Sequence, residues 1–146
     1  MNIFLLCQTF CAIFFLTAGF SLLAAADKAP SNDLTTSAVA SEAWLHQVDE
    51  GKYGESWDAG SQIFKATISK DEWNKYLNAS RQPLGSVTSR VVVDQRTAEN
   101  PKGLLPGHYM VMVYKTSFSN KPNTFEIVTL RQEEDGQWRV LTYQAK

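Results

Sequence analysis

A chain of 146 residues with 14 basic and 15 acidic side chains, net charge −1, is sized for a single domain. It lacks the positive field that nucleic acid or an anionic membrane would require of a partner. Its two cysteines, Cys7 and Cys11, both fall in an uncharged apolar stretch at the start, so the rest of the chain has no thiol for a disulfide, a nucleophile or a metal.

That first stretch reads as an address. Phe10 to Ala26 carries no charge, and Ala12-Ile13-Phe14-Phe15-Leu16 forms the apolar centre of a secretory leader. Ala24-Ala25-Ala26 then supplies the small residues a signal peptidase needs, before Asp27-Lys28-Ala29-Pro30 turns polar. The expectation is a signal peptide over residues 1–26 and a periplasmic or secreted product. Against it, no Lys or Arg precedes the run. Ile3 to Ala26 also approaches the about 20 apolar residues of a membrane span. An uncleaved anchor is the alternative, and membrane association is expected only in that case. Neither cysteine directly follows a small-residue cleavage box, which argues against a lipid anchor. Residues 27–36 lack periodicity and read as a flexible linker, leaving 37–146 as one α+β domain.

Within the domain, helices come first. Trp44, Leu45 and Val48 form one apolar stripe, and Gly51 ends that helix as a left-handed cap would. Tyr53, Trp57, Gly60, Phe64 and Ile68 continue at helical spacing and predict a second helix. Ser69-Lys70-Asp71-Glu72 is a capping box opening a third, with Trp73, Tyr76 and Leu77 on its stripe. Pro83 stops it.

After Gly85 the texture turns β-branched and aromatic. Strands are expected from Ser86 to Thr97, His108 to Phe118, Thr124 to Glu133 and Gln137 to Gln144. Asp135-Gly136 marks a hairpin, and the run Glu133-Glu134-Asp135 reads as its solvated tip. The predicted fold is α+β: three N-terminal helices packed on a four-stranded antiparallel meander sheet, cone-like in form. The expected core includes Trp44, Trp57, Phe64, Trp73, Leu77, Val128 and Leu130.

The order of several short pieces carries a resemblance. They are Ala43-Trp44-Leu45, Asp49-x-Gly51-x-Tyr53-x-x-Ser56-Trp57, Phe64, Trp73 and Arg81-x-Pro83-Leu84-Gly85. They continue through Arg90, Tyr114-x-Thr116-x-Phe118-x-x-Lys121, Glu126 and Asp135-Gly136-x-Trp138-Arg139-Val140. From Ala43 to Tyr143 the chain resembles the bacterial family called domain of unknown function 4019, with Thr142 standing where glycine is expected. That resemblance implies an exported bacterial protein and no particular activity. The order of elements is also similar to the cystatin and nuclear-transport-factor-2-like cone folds, which host enzymes and binding modules alike.

Catalytic chemistry is sparse. His46 and His108 have no metal-ligand spacing, no serine sits in Gly-x-Ser-x-Gly, and no glycine-rich phosphate loop is present. No metal, cofactor or catalytic residue is therefore assigned. Asp49 and Glu50, near Asp58, are a carboxylate group in which Asp49 is expected to bond backbone amides at the helix junction. The polar residue of most interest is Glu126, in phase with Val128 and Leu130 and so on an apolar strand face. A carboxylate there needs a partner, with Arg90 first, Arg81 second, and Tyr114 as a further donor. These four residues are the candidate ligand-binding patch, or else a salt bridge fixing helix and sheet.

In the strand from His108, Tyr109, Val111 and Val113 face one way and Met110, Met112 and Tyr114 the other. Both faces need cover, from the long loop, a second copy or a partner. The functional expectation is a non-enzymatic binding or interaction module using the concave face of the sheet, with an unidentified protein or small ligand as partner, or a homodimer through the sheet. The alternative is a small cone-fold lyase or isomerase with Glu126 or Asp49 as general base.

Overall fold

The computed structural model describes residues 31–146. The proposed leader therefore lies outside the described residues. Four α-helices come first: α1 (Ser31–Asp49), α2 (Tyr53–Asp58), α3 (Gln62–Thr67) and α4 (Lys70–Ser80). A 3-10 turn, Gln82–Leu84, leads into β1 (Val87–Glu99), β2 (His108–Phe118), β3 (Thr124–Gln132) and β4 (Trp138–Ala145). The strands form one antiparallel sheet in the order β1-β2-β3-β4. The α+β class and the meander thus follow the sequence pattern. Among the described residues no helix is long and apolar enough to cross a membrane.

The helix count differs from expectation. The segment read as a second helix, Tyr53 to Ile68, is two short helices meeting at Gly60-Ser61. Ser61 is extended rather than helical, and its hydroxyl caps α3 by accepting from the Phe64 N–H at 3.0 Å. Its own N–H donates to the Val140 carbonyl of β4 at 2.8 Å, so the break seats the helices against the sheet. Gly60 admits the Phe64 ring where a Cβ would collide with it. Apolar spacing alone cannot register such a corner, because both halves keep the same stripe. Residues 31–36, expected to be linker, are the opening turns of α1. The Ser69–Glu72 capping box forms as the sequence predicts, and Gly51 is left-handed at φ 73°.

Helix α1 lies on β4, β3 and β2, and α4 packs on α2. Trp44, Leu45, Val48, Phe64, Trp73 and Leu77 meet Met110, Met112, Val128, Leu130, Val140 and Tyr143 in one buried cluster. Aromatic rings dominate it: Trp44 sits 6.0 Å from Trp73 and 5.4 Å from Tyr143, and Phe64 meets Trp73 edge-on at 4.9 Å. Ser56 satisfies both indoles, its carbonyl accepting from Trp44 Nε1 at 2.8 Å and its hydroxyl from Trp73 Nε1 at 3.0 Å. Trp57 departs from the expected core. It is partly buried at the margin, with its Nε1 donating to the Ile68 carbonyl at 2.8 Å.

Cross-strand register places Val92, Tyr114, Glu126 and Ala145 in one row on the helix-covered face. Val91, Lys115 and Phe125 form a row on the outer face. A bulge between Val92 and Asp94 leaves Val93 unpaired.

Candidate functional site

Glu126 is fully buried, and three donors converge on it. Its Oε2 accepts from Arg90 Nε at 2.7 Å and from Thr116 Oγ1 at 2.5 Å, and its Oε1 accepts from the Tyr143 hydroxyl at 2.6 Å. The sheet arranges this. Thr116 stands opposite Thr124 and Tyr143 opposite Val128, so both are diagonal neighbours of Glu126 from the two flanking strands. Arg90 reaches across from β1.

The remainder of the Arg90 fork is bidentate to Asp49, with Nη1 to Oδ2 at 2.6 Å and Nη2 to Oδ1 at 3.0 Å. Arg81 Nη2 donates to the same Oδ1 at 2.9 Å, and its Nη1 caps the Gly85 carbonyl at 2.8 Å. Its guanidinium lies over the Phe118 ring, 4.3 Å from the centroid. Charges therefore alternate along one chain: Glu126, Arg90, Asp49, Arg81. Asp49 closes α1 at its negative end, an unfavourable place for a carboxylate that two guanidinium groups offset.

Burial by itself would lower the Arg90 pKa. The hydrogen bonds and charges of Asp49 and Glu126 outweigh it and hold Arg90 above its ordinary value. The Tyr143 hydroxyl is pushed well up, by burial first and then by the Glu126 charge beside it. Tyr143 is thus a neutral donor at any physiological pH.

Of the four predicted site residues, the structure unites Glu126 with Arg90 and brings Arg81 in through Asp49. Tyr114 does not join them. It stands directly opposite Glu126 in the ladder, but its ring extends past the carboxylate to α1, where its hydroxyl donates to Ser41 Oγ at 2.8 Å. Tyr143 fills the role expected of Tyr114. Asp49 bonds side chains rather than the expected backbone amides, for a reason legible in advance: a helix C-terminus offers carbonyls, not free N–H groups. Thr116 also carried a signal, as a hydroxyl in phase with Met112 and Tyr114. The tip carboxylates differ as well. Glu133 is half-buried, bonded to Arg131 at 2.9 Å and to the Gln62 N–H at 3.1 Å, while Asp135 pairs with Arg139.

Chemically the cluster is saturated. Every Glu126 oxygen is taken and the carboxylate is sealed from solvent, whereas a general base must touch its substrate. Among the described residues no group of three or more His, Cys, Asp or Glu could hold a metal ion.

The sheet's outer face is unevenly covered. Near His108 the long loop folds over it, as Tyr109 donates to the Leu105 carbonyl at 2.6 Å and Arg131 to the Pro106 carbonyl at 3.3 Å. At the other end Val91 and Phe125 stand exposed in the outer row with Lys115 between them, and on edge strand β1 the run Val91, Val92 and Val93 is 56%, 42% and 50% exposed although Val92 points to the opposite face.

The chain belongs to the family described as Protein of unknown function (DUF4019), which it matches over residues 40–143. That span holds the whole charged cluster. No curated protein matches the chain, and no solved structure does.

Proposed function

We propose that this member of the family is an exported, non-enzymatic interaction module that takes an extended segment of a partner protein along β1 and the outer face beside it. The observation that carries this reading is the run Val91-Val92-Val93, about half exposed on a free edge strand. β1 is 13 residues long, whereas strands usually run to about 5–6. A long edge presents unpaired N–H and C=O groups, and natural proteins guard such edges unless they use them. An added strand gains main-chain hydrogen bonds there, with Val91 offering apolar contact to its side chains.

The charged cluster supports the same reading as a brace. Arg90 ties β1 to α1 through Asp49 and to β3 through Glu126, which fixes the edge before a partner arrives. A rigid edge loses less freedom on binding. Glu126, Arg90 and Arg81 then serve recognition indirectly, as scaffold. Export is supported by the apolar run ending in Ala24-Ala25-Ala26. A lyase or isomerase would need an accessible base, and neither Glu126 nor the doubly paired Asp49 offers one.

The test is a photo-crosslinking amino acid at Val91, introduced in the native host, with the same probe at Ala79 on the exposed side of α4 as control. A discrete adduct with one protein at Val91 alone is expected. Equal labelling at both positions, or none at Val91, would overturn the proposal.

A further inference from the structure

Strand β1 carries a second free surface on its inner face, opposite the outer side invoked for strand addition. Helix α1 straddles β2 to β4: the Tyr114 hydroxyl of β2 donates to Ser41 Oγ at 2.8 Å, and Trp44 meets the Tyr143 ring of β4 at 5.4 Å. Its axis therefore runs above β3, and the helix stops short of β1. Register places Val92, Gln95, Thr97 and Glu99 on the inner face, opposite Tyr114, Met112, Met110 and His108. Met110, Met112 and Tyr114 are sealed, yet all four β1 residues are exposed. The sheet overhangs its helix layer by one strand and leaves a ledge.

Helix α1 walls this ledge. Asp49 reaches β1 through Arg90, so Glu42, two turns earlier, lies on the same stripe, with the partly buried Ala38 one turn before that. Burial pushes the Tyr114 hydroxyl up and the Glu42 charge adds to the rise, which places that carboxylate beside the ledge. Among the described residues neither Glu42 nor Glu99 has an ion pair. Arg90 is spent on Asp49 and Glu126, and its bridge to α1 closes the ledge at one end. Glu99 and His108 stand at the other. The free charge is acidic at both ends.

The dimensions are those of a helix. Packed helices lie about 8–10 Å apart and neighbouring strands about 4.7–4.9 Å, so a helix laid against α1 sits two strands over, above β1. The floor from Val92 to Glu99 runs about 20 Å at about 3.3 Å per residue, room for about 14 helical residues at about 1.5 Å each. A strand laid on this face would find no backbone partners, because a sheet face presents side chains, whereas a helix bonds its own backbone.

We propose that this ledge receives a basic amphipathic helix of a partner protein. A Lys or Arg near each end of it meets Glu42 and Glu99, and their alkyl stems with an apolar residue between them cover Val92 and Ala38. The ledge lies on the face opposite the outer side of β1, so this proposal stands or falls apart from the edge reading.

The probe is a capped, alanine-rich helical peptide of about 14 residues. It carries two arginines three turns apart, with two leucines between them on the same face. It is titrated into isotope-labelled protein and followed by the backbone amide resonances of Val92, Gln95 and Thr97. Saturable shifts at these residues are expected, with binding that weakens as salt is raised. A twin peptide with glutamates in place of the arginines should not saturate. Glu42→Gln and Glu99→Gln should each weaken binding about twofold to fivefold, the worth of one exposed ion pair. Thr97→Arg, at an exposed position, should abolish it by adding bulk and a like charge. Unmoved Trp44 and Trp73 indole resonances would show that each variant is folded. No saturable shift, equal binding of the glutamate peptide, or shifts confined to outer-face Val91 and Phe125 would each overturn the proposal. So would shifts at the ledge that follow protein concentration without peptide, which assign it to a second copy.

Discussion

Replacing Glu126 by glutamine keeps the shape of the side chain and removes its charge. Three donors still point at the site, from Arg90, Thr116 and Tyr143. The amide oxygen can accept from at most two of them, and the new NH2 group faces the third. One buried donor then goes unpaired, at a cost of about 1–3 kcal/mol, and a charge-assisted bond to Arg90 becomes a weaker neutral one. Arg90 keeps its bidentate contact with Asp49, which holds the loss toward the lower end of the about 3–5 kcal/mol known for broken buried pairs. A destabilisation of about 3 kcal/mol is therefore expected in urea unfolding, as a fall in midpoint at constant slope. The double replacement Glu126→Leu with Arg90→Met should recover about half of that, since the Thr116 and Tyr143 hydroxyls still lose their acceptor. A loss below about 1 kcal/mol for Glu126→Gln would refute the reasoning, because no buried ion network of this kind yields so cheaply.

Trp73→Ala should cost about 3–5 kcal/mol, and Trp57→Ala distinctly less, because Trp57 stands at the margin of the core; calorimetric unfolding of the two variants gives the comparison. The Asp135 carboxyl is held down at about 2 by its bonds to Arg139 and to the Gln137 N–H. A lowered carboxylate stabilises the fold fully above its ordinary value of 3.8 and loses that contribution as pH falls toward about 2, so Arg139→Gln should return its titration, followed by carboxyl NMR shifts, toward 3.8. Mass spectrometry of protein from the native host should find Asp27 at the mature N-terminus, whereas a full-length chain in the membrane fraction would favour the anchor.

The strand order and the inward face of Glu126 were legible in the sequence because both rest on period-two alternation, which a sheet enforces residue by residue. The Glu126–Arg90 pair followed from the same phase. The donor identity did not, since Tyr114 and Tyr143 both lie on the inner face beside Glu126 and only the direction of each ring separates them. The break at Gly60-Ser61 was hidden for a related reason: two helices that bury one continuous stripe look like a single helix.

Val93 is one residue more than the ladder needs. Val92 stands opposite Tyr114 and Asp94 opposite Val113, so the extra residue is absorbed in place and the pairing resumes in step. Removing it would leave every later side chain of β1 on its present face, with Gln95 and Thr97 toward the helices and Arg96 away from them. The strand would lose its kink and gain an even edge, without a change to the core. Chain length at this one position is thereby uncoupled from the fold, and a single-residue deletion becomes a way to reshape the exposed edge while the protein beneath it stays the same.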